Sequence, residues 1–307
     1  MHPSAANKSS PQASLFETSA LKAVFSKIDL RLIPLLLIAY MIAYLDRINV
    51  GWAQLQMKQT LPFDDAVYGL GAGMFFVGYF LFGVPSNLLL EKIGARRTLF
   101  SIMVIWGVAA TAMMFVSTPL QFYVMRFLLG AFEAGFFPGV ILYFTYWYPQ
   151  VRRGQVIAIF MSATTIIAVI AGPLCGAILK YFNGFGGLHG WQWLFMVQGL
   201  PAIVIGLLVY LLLEDKPANA TWLSRDEKQL LDDGFQHDVK DIESEAAGTF
   251  GQMLADPRVY ILSLVYFLLL GATYTLVFWM PTLIQSWGVK DLFLVSESMR
   301  QSRTASA

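Results

Sequence analysis

Apolar runs recur along the chain, each about as long as a helix needs to cross a bilayer and each bounded by a short polar or glycine-containing stretch. A crossing helix takes about 20 mostly apolar residues. The runs predict spans near 31–51, 66–90, 98–117, 121–147, 155–181, 191–213 and 258–285. The chain then divides into a polar tail (1–30), a six-helix bundle (31–213), a connector (214–257), a seventh helix (258–285) and a polar end (286–307). The expected fold is all-α and multi-pass. Within the connector, Ser224-Arg225-Asp226-Glu227 has the spacing of a helix-capping box and leads into KQLLDD, which predicts a short surface helix. The tail is polar and then weakly amphipathic, and the first apolar run ends in Asp-Arg-Ile-Asn with no small-residue cleavage site. A retained span is expected there, not a signal peptide.

Basic residues orient these spans. Lys92, Arg96 and Arg97 lie between spans two and three, Arg152 and Arg153 between four and five, and Lys216, Arg225, Lys228 and Lys240 in the connector. The alternate links hold Lys58 alone or nothing basic. The positive-inside rule therefore puts the N-terminus and the connector in the cytoplasm.

Composition agrees with the pattern and removes other classes. The 307 residues are 57% hydrophobic and only 13% charged, against roughly a quarter charged in a soluble domain; the mean hydropathy is +0.59. A net charge of +1, with basic residues occurring in short loops rather than on one binding face, gives no reason to propose nucleic acid. One cysteine, Cys175, and three scattered histidines, His2, His189 and His237, offer neither a disulfide framework nor a metal constellation. No phosphate loop, HExxH pair or serine elbow follows a strand, and no soluble segment is long enough for a catalytic domain, so neither an enzyme nor a cofactor is expected.

Four ionisable residues interrupt apolar sequence: Asp46 and Arg47 close the first expected span, and Arg126 and Glu133 lie in the fourth. A charge near mid-bilayer costs on the order of 2.5–3.5 kcal/mol on insertion scales. Arg126 and Glu133 are two helical turns apart and share a face. Two placements fit the four: the headgroup level, where arginine can snorkel, or a shared aqueous cavity, the ordinary meaning of ionisable residues at membrane depth. Tyr44 and Tyr79 stand inside spans and are candidates to line the same cavity. Ser162, Thr164 and Thr165 could supply hydroxyls to it or bond their own helix. Tyr146, Trp147, Tyr148, Trp191 and Trp193, at expected span ends, are expected in the interfacial belts. Glycines in spans two, four and five predict close helix packing.

The segment NLLLEKIGARR (87–97) resembles the loop between the second and third spans of the major facilitator superfamily, G-x-L-A-D-R-x-G-R-R. Glu91 stands at its acidic position, Lys92 at the first basic one, Gly94 at the glycine, and Arg96 and Arg97 at the basic end, while Asn87 replaces the first glycine. Such a loop can brace two helices through a carboxylate and arginines and act as a conformational gate. Arg126-x-x-x-Gly130 is similar to the fourth-span motif, and YLDRINVG, FEAGFFPG, YWYPQVRRGQ, GPLCG and EDKPANATWLSRDE together resemble the anion:cation symporter family. The resemblance implies proton-coupled transport of organic carboxylates such as sugar acids or tartrate across a bacterial inner membrane. It implies Asp46 and Glu133 as the protonatable pair and Arg47 and Arg126 as cationic partners, one of which meets the substrate carboxylate.

The superfamily's members have about twelve spans in two halves. Here the polar run SESMRQSRTASA stands where an eighth span is expected, and a frameshifted or shortened reading frame is the expected explanation. An inactive truncated product and a passive anion facilitator are the rival expectations. The nature of the carboxylate, the proton stoichiometry and the oligomeric state are not legible in the residues.

Overall fold

The computed structural model describes residues 19–233, 235 and 255–288, without the side chains of Ser19 and Glu91. All its described regular structure is helical. The membrane-length helices begin with α1 (Ser19–Thr60), α2 (Asp65–Ile93) and α3 (Ala95–Ala112). The fourth span is two helices, α4 (Pro119–Glu133) and α5 (Phe136–Trp147), followed by α6 (Gln150–Tyr181) and α7 (Gly190–Leu212). Residues 225–233 form the short helix α8, and α9 is Pro257–Ser286. Among the described residues seven helical segments are long and apolar enough to cross a membrane, the number expected.

Local chemistry starts these helices where the sequence allows. Asp64 accepts from the Val67 N–H at 2.8 Å ahead of α2, and Thr118 accepts from Gln121 N–H at 3.3 Å ahead of α4, whose first residue is Pro119. Both are side-chain caps, and proline at the first helical position sacrifices no helical hydrogen bond. The capping box at 224–227 forms as expected: Ser224 N–H donates to Glu227 Oε2 at 2.7 Å and Glu227 N–H to Ser224 Oγ at 3.1 Å.

The first span differs from expectation in a way that matters for the site. α1 has 42 residues, roughly 63 Å at 1.5 Å per residue, about twice a bilayer core. Its early part buries Leu21, Val24, Phe25 and Ile28 at helical spacing. Asp46 and Arg47 therefore lie well inside a continuous helix, both buried, rather than at its end.

The helices pack α3 on α7, α2 on α4, and α1 on both α6 and α7, with α9 lying against α1. The α2–α4 crossing depends on two glycines facing backbone: a Cβ on Gly78 would sit 2.2 Å from the Phe127 carbonyl oxygen, and one on Gly130 only 1.9 Å from that of Phe75. Close approach through small residues is how apolar helices associate without a hydrophobic drive. The expected interfacial positions of Trp147, Tyr148 and Trp191 do not hold. All three are buried in the core; Trp147 stacks on Trp222 of the connector at 5.7 Å between centroids, and Trp191 Nε1–H donates to Thr60 Oγ1 at 3.1 Å. Tyr146 and Trp193 are half-buried. A span end packed under a connector or beside another helix end meets protein where a lone span would meet headgroups.

Candidate functional site

Arg47 and Asp46 are neighbours in sequence, so on a helix they point about 100° apart, and the bundle sends them to different partners. Arg47 faces α4: its Nε donates to Glu133 Oε1 at 2.6 Å, with Glu133 fully buried. Its Nη1 donates to the Tyr274 hydroxyl of α9 at 3.4 Å, and its guanidinium lies 4.8 Å from the Tyr79 ring centre. Asp46 turns toward α3, where Trp106 Nε1–H donates to its Oδ2 at 3.0 Å, while Asn49 Nδ2 of its own helix donates to its Oδ1 at 3.1 Å. Both hydrogen bonds put donors on its carboxyl oxygens, an arrangement that suits a carboxylate better than its acid.

Arg126 is the exception. Its residue exposure is 0%, yet Nε, Nη1 and Nη2 all lack a hydrogen-bond partner among the described residues. Its guanidinium sits 4.8 Å from the centre of the Phe75 ring, a cation–π contact. Asp46 and Glu133 act on it only as charges at longer range. Arg47 Nη2 and Glu133 Oε2 are also buried without partners. The four formal charges sum to zero while the hydrogen bonds do not balance: three donor nitrogens of one guanidinium meet no acceptor among the described residues. A buried charge without hydrogen bonds costs several kcal/mol, and a forked donor of this kind matches a carboxylate in geometry and charge.

Of the residues expected at the site, Arg47, Glu133 and Tyr79 meet directly, and Arg126 joins them through Phe75, which both arginines face at 5.9 and 4.8 Å. Tyr44 is half-buried on α1, one turn before Arg47. Ser162 and Thr164 spend their hydroxyls on their own helix, on the carbonyls of Ile159 and Met161 at 2.6 and 2.8 Å, and Thr165 is exposed. Sequence reasoning passed over Asn49, Trp106, Gln198 and Tyr274. Asn49 and Gln198 carried a signal, since each is an amide inside an apolar span; Trp106 and Tyr274 carried none beyond an aromatic ring.

The expected gate residues gather at the other end of the bundle. Gly94 joins α2 to α3 with φ of +90°, and a Cβ there would come within 2.8 Å of Asp215 Oδ1. That carboxylate caps α3 by accepting from the Arg96 N–H at 2.8 Å. The Arg96 side chain reaches Glu214 at 3.8 Å and lies 4.6 Å from the Tyr210 ring. Lys92 and Arg97 are exposed, and the Glu91 side chain lies outside the described residues.

A helical multi-pass membrane protein with charges buried at mid-bundle is thus defined by fold and site. Residues 36–296 match the model of the Major Facilitator Superfamily, and the chain belongs to that family. It is 47% identical over 273 residues to the putative metabolite transport protein NicT of Pseudomonas putida, covering 89% of this chain and 62% of that one. It is 45% identical to a putative tartrate transporter of Agrobacterium vitis (88% and 62% covered) and 44% identical to a quinolone resistance transporter of Acinetobacter baumannii (87% and 61%). The chain therefore spans about three fifths of these relatives' length. Among solved structures, a bacterial homologue of the human lysosomal transporter Spinster, inward-facing and unoccupied, has the same fold, with a TM-score of 0.68 at 21% identity over 95% of this chain and 59% of that one. The relatives are named as transporters, and the family to which the chain belongs is one of membrane transporters, not of enzymes.

Proposed function

We propose that this chain carries the anion-binding half of a proton-coupled organic carboxylate transporter, for sugar acids or tartrate-like substrates, which works by alternating access. Its N-terminus and the 214–257 connector lie in the cytoplasm of a bacterial cell, as the distribution of lysine and arginine supports. The observation that carries the reading is the fully buried guanidinium of Arg126 with three unengaged nitrogens. The tartrate transporters among the relatives add weight to a carboxylate as the ligand.

The ion pair supplies the coupling. Glu133 holds Arg47 through one oxygen and has the other unengaged. A proton on Glu133 removes the anion that Arg47 pairs with, and the released guanidinium becomes a second donor for the substrate carboxylate. Proton and anion therefore load together, with Asp46 as the second coupling carboxylate and Tyr44 and Tyr79 beside the pathway. The gate loop, Glu91, Lys92, Gly94, Arg96 and Arg97, braces α2 and α3 against the α7–connector junction in one of the alternating states.

The test is calorimetric binding of tartrate and of sugar acids to the chain in lipid nanodiscs. Arg126→Lys should weaken binding on the order of tenfold or more, because an ammonium keeps the charge and loses the fork. Unchanged affinity would remove Arg126 from the substrate site. In cells, Glu133→Gln should abolish proton-driven accumulation of labelled substrate while exchange persists, and full accumulation in that variant sinks the coupling role.

A further inference from the structure

Asp46 makes no hydrogen bond to either arginine; both of its oxygens are taken by neutral donors from other turns and helices. Trp106 Nε1–H on α3 donates to Oδ2 and Asn49 Nδ2, one turn further along α1, to Oδ1. Asn49 is itself held in orientation: its Nδ2 also donates to Gln198 Oε1 on α7, and Gln198 Nε2 is directed at Cys175 Sγ on α6 at 3.7 Å. All of these groups are buried. Four helices thus fix how one carboxylate is presented.

An indole N–H can only donate. A proton on Asp46 would turn one of its oxygens from a good acceptor into a hydroxyl facing a donor, so each donor favours the carboxylate over the acid. Gln198 adds to this at one remove. Its Oε1 keeps the Asn49 amide turned with N–H toward Asp46; without it the amide could rotate and offer its Oδ1, which now has no partner.

We propose that Trp106, Asn49 and Gln198 are positioning residues of the coupling apparatus, which orient the Asp46 carboxyl group and, through their hydrogen bonds, make it less ready to take a proton than it would be without them. The proposal rests on the reading of Asp46 as one of the two coupling carboxylates. The charges acting on Asp46 are those of Arg126 and Glu133 from α4 and Arg47 from its own helix. The other elements of the network, α3, α7 and α6, contribute only the indole, the Gln198 amide and the Cys175 thiol. Replacing the three positioning residues leaves every one of those charges in place, so a change in Asp46 protonation reports the hydrogen bonds alone.

Infrared difference spectroscopy of the chain in nanodiscs, titrated from about pH 4 to about pH 10, follows the carboxylic acid C=O band that Asp46→Asn removes. Trp106→Phe and Asn49→Leu should each raise the midpoint of that band by about one pH unit, a tenfold gain in proton affinity. Gln198→Leu touches no atom of Asp46 and should shift it the same way by about half a unit, roughly threefold. Should Trp106→Phe fail to fold, Gln198→Leu decides. Unmoved midpoints, or an Asp46 band absent in every variant, overturn the proposal. A band absent in the parent that emerges in Trp106→Phe or Gln198→Leu upholds the positioning role and removes Asp46 from proton coupling, which separates the two readings.

Discussion

The mid-bundle charges and the charges at the Arg96–Arg152 end of the bundle are built from the same residue types and are treated in opposite ways. At the bundle end every arginine that reaches a carboxylate does so beside water: Arg152 meets Asp29 at 2.8 Å and Arg96 meets Glu214 at 3.8 Å, with each side chain roughly a quarter exposed. Lys27 bonds Glu227 of the connector at 3.1 Å, and Arg31 lies 5.0 Å from the Trp222 ring. Such contacts brace one segment against another at little gain each. At mid-bundle the side chains are buried, Arg47 and Glu133 form one tight pair, and the Arg126 nitrogens have no hydrogen-bond partner among the described residues. Fold stability explains the first arrangement. It does not explain the second, in which burial is expensive and donors go unused; the substrate site proposed above would.

Breaking the mid-bundle pair should have the largest effect. Arg47→Met leaves Glu133 buried without its hydrogen-bond partner among the described residues, and removal of one member of a buried pair costs about 3–5 kcal/mol. Thermal unfolding in detergent should show a large drop. A drop no larger than that of a surface arginine would put the pair in water.

The gate turn comes next. Gly94→Ala forces a side chain into φ +90° against the Asp215 carboxylate that caps α3, at about 1–3 kcal/mol. Asp215→Ala, which removes only the cap, should cost about 1 kcal/mol. Equal losses for the two would mean that the turn carries no strain of its own. By contrast Arg152→Met, at a partly exposed pair, should change stability by no more than about 1 kcal/mol, and by less in high salt.

The smallest effect is the pH response of the connector. The Ser224 N–H, helped by Lys27, holds the Glu227 carboxyl below its ordinary value. Its contribution is then fully present above the unfolded pKa of roughly 4.3 and is lost as pH falls through the lower folded value. The protection of amides 225–233 against hydrogen exchange, taken relative to the intrinsic rate at each pH, should fall in acid, and Glu227→Gln, which removes the titrating carboxyl, should flatten that dependence. A protection factor independent of pH would detach the cap from the helix.

Much of this was legible from pattern alone, because each property depends on neighbours along the chain. Twenty-residue apolar runs fix the number of membrane helices, a seven-residue spacing puts Arg126 and Glu133 on one face, and Ser224 with Glu227 forms the cap its spacing promises. Ionisable residues in apolar sequence also mark the site, since their cost demands a reason. What local pattern could not supply is which groups meet across helices. Glu133 pairs with Arg47 of α1 while Arg126 of its own helix goes unpaired, and Asp46 turns from its sequence neighbour to Trp106. Trp147 and Trp191 are buried, although a span end in isolation would place them at the interface. Helix period and hydropathy are properties of a segment and are written in its residues. The choice of partner depends on the angle and depth at which helices cross, set here by contacts such as Gly78 against Phe127 and Gly130 against Phe75, and only the packed bundle decides it.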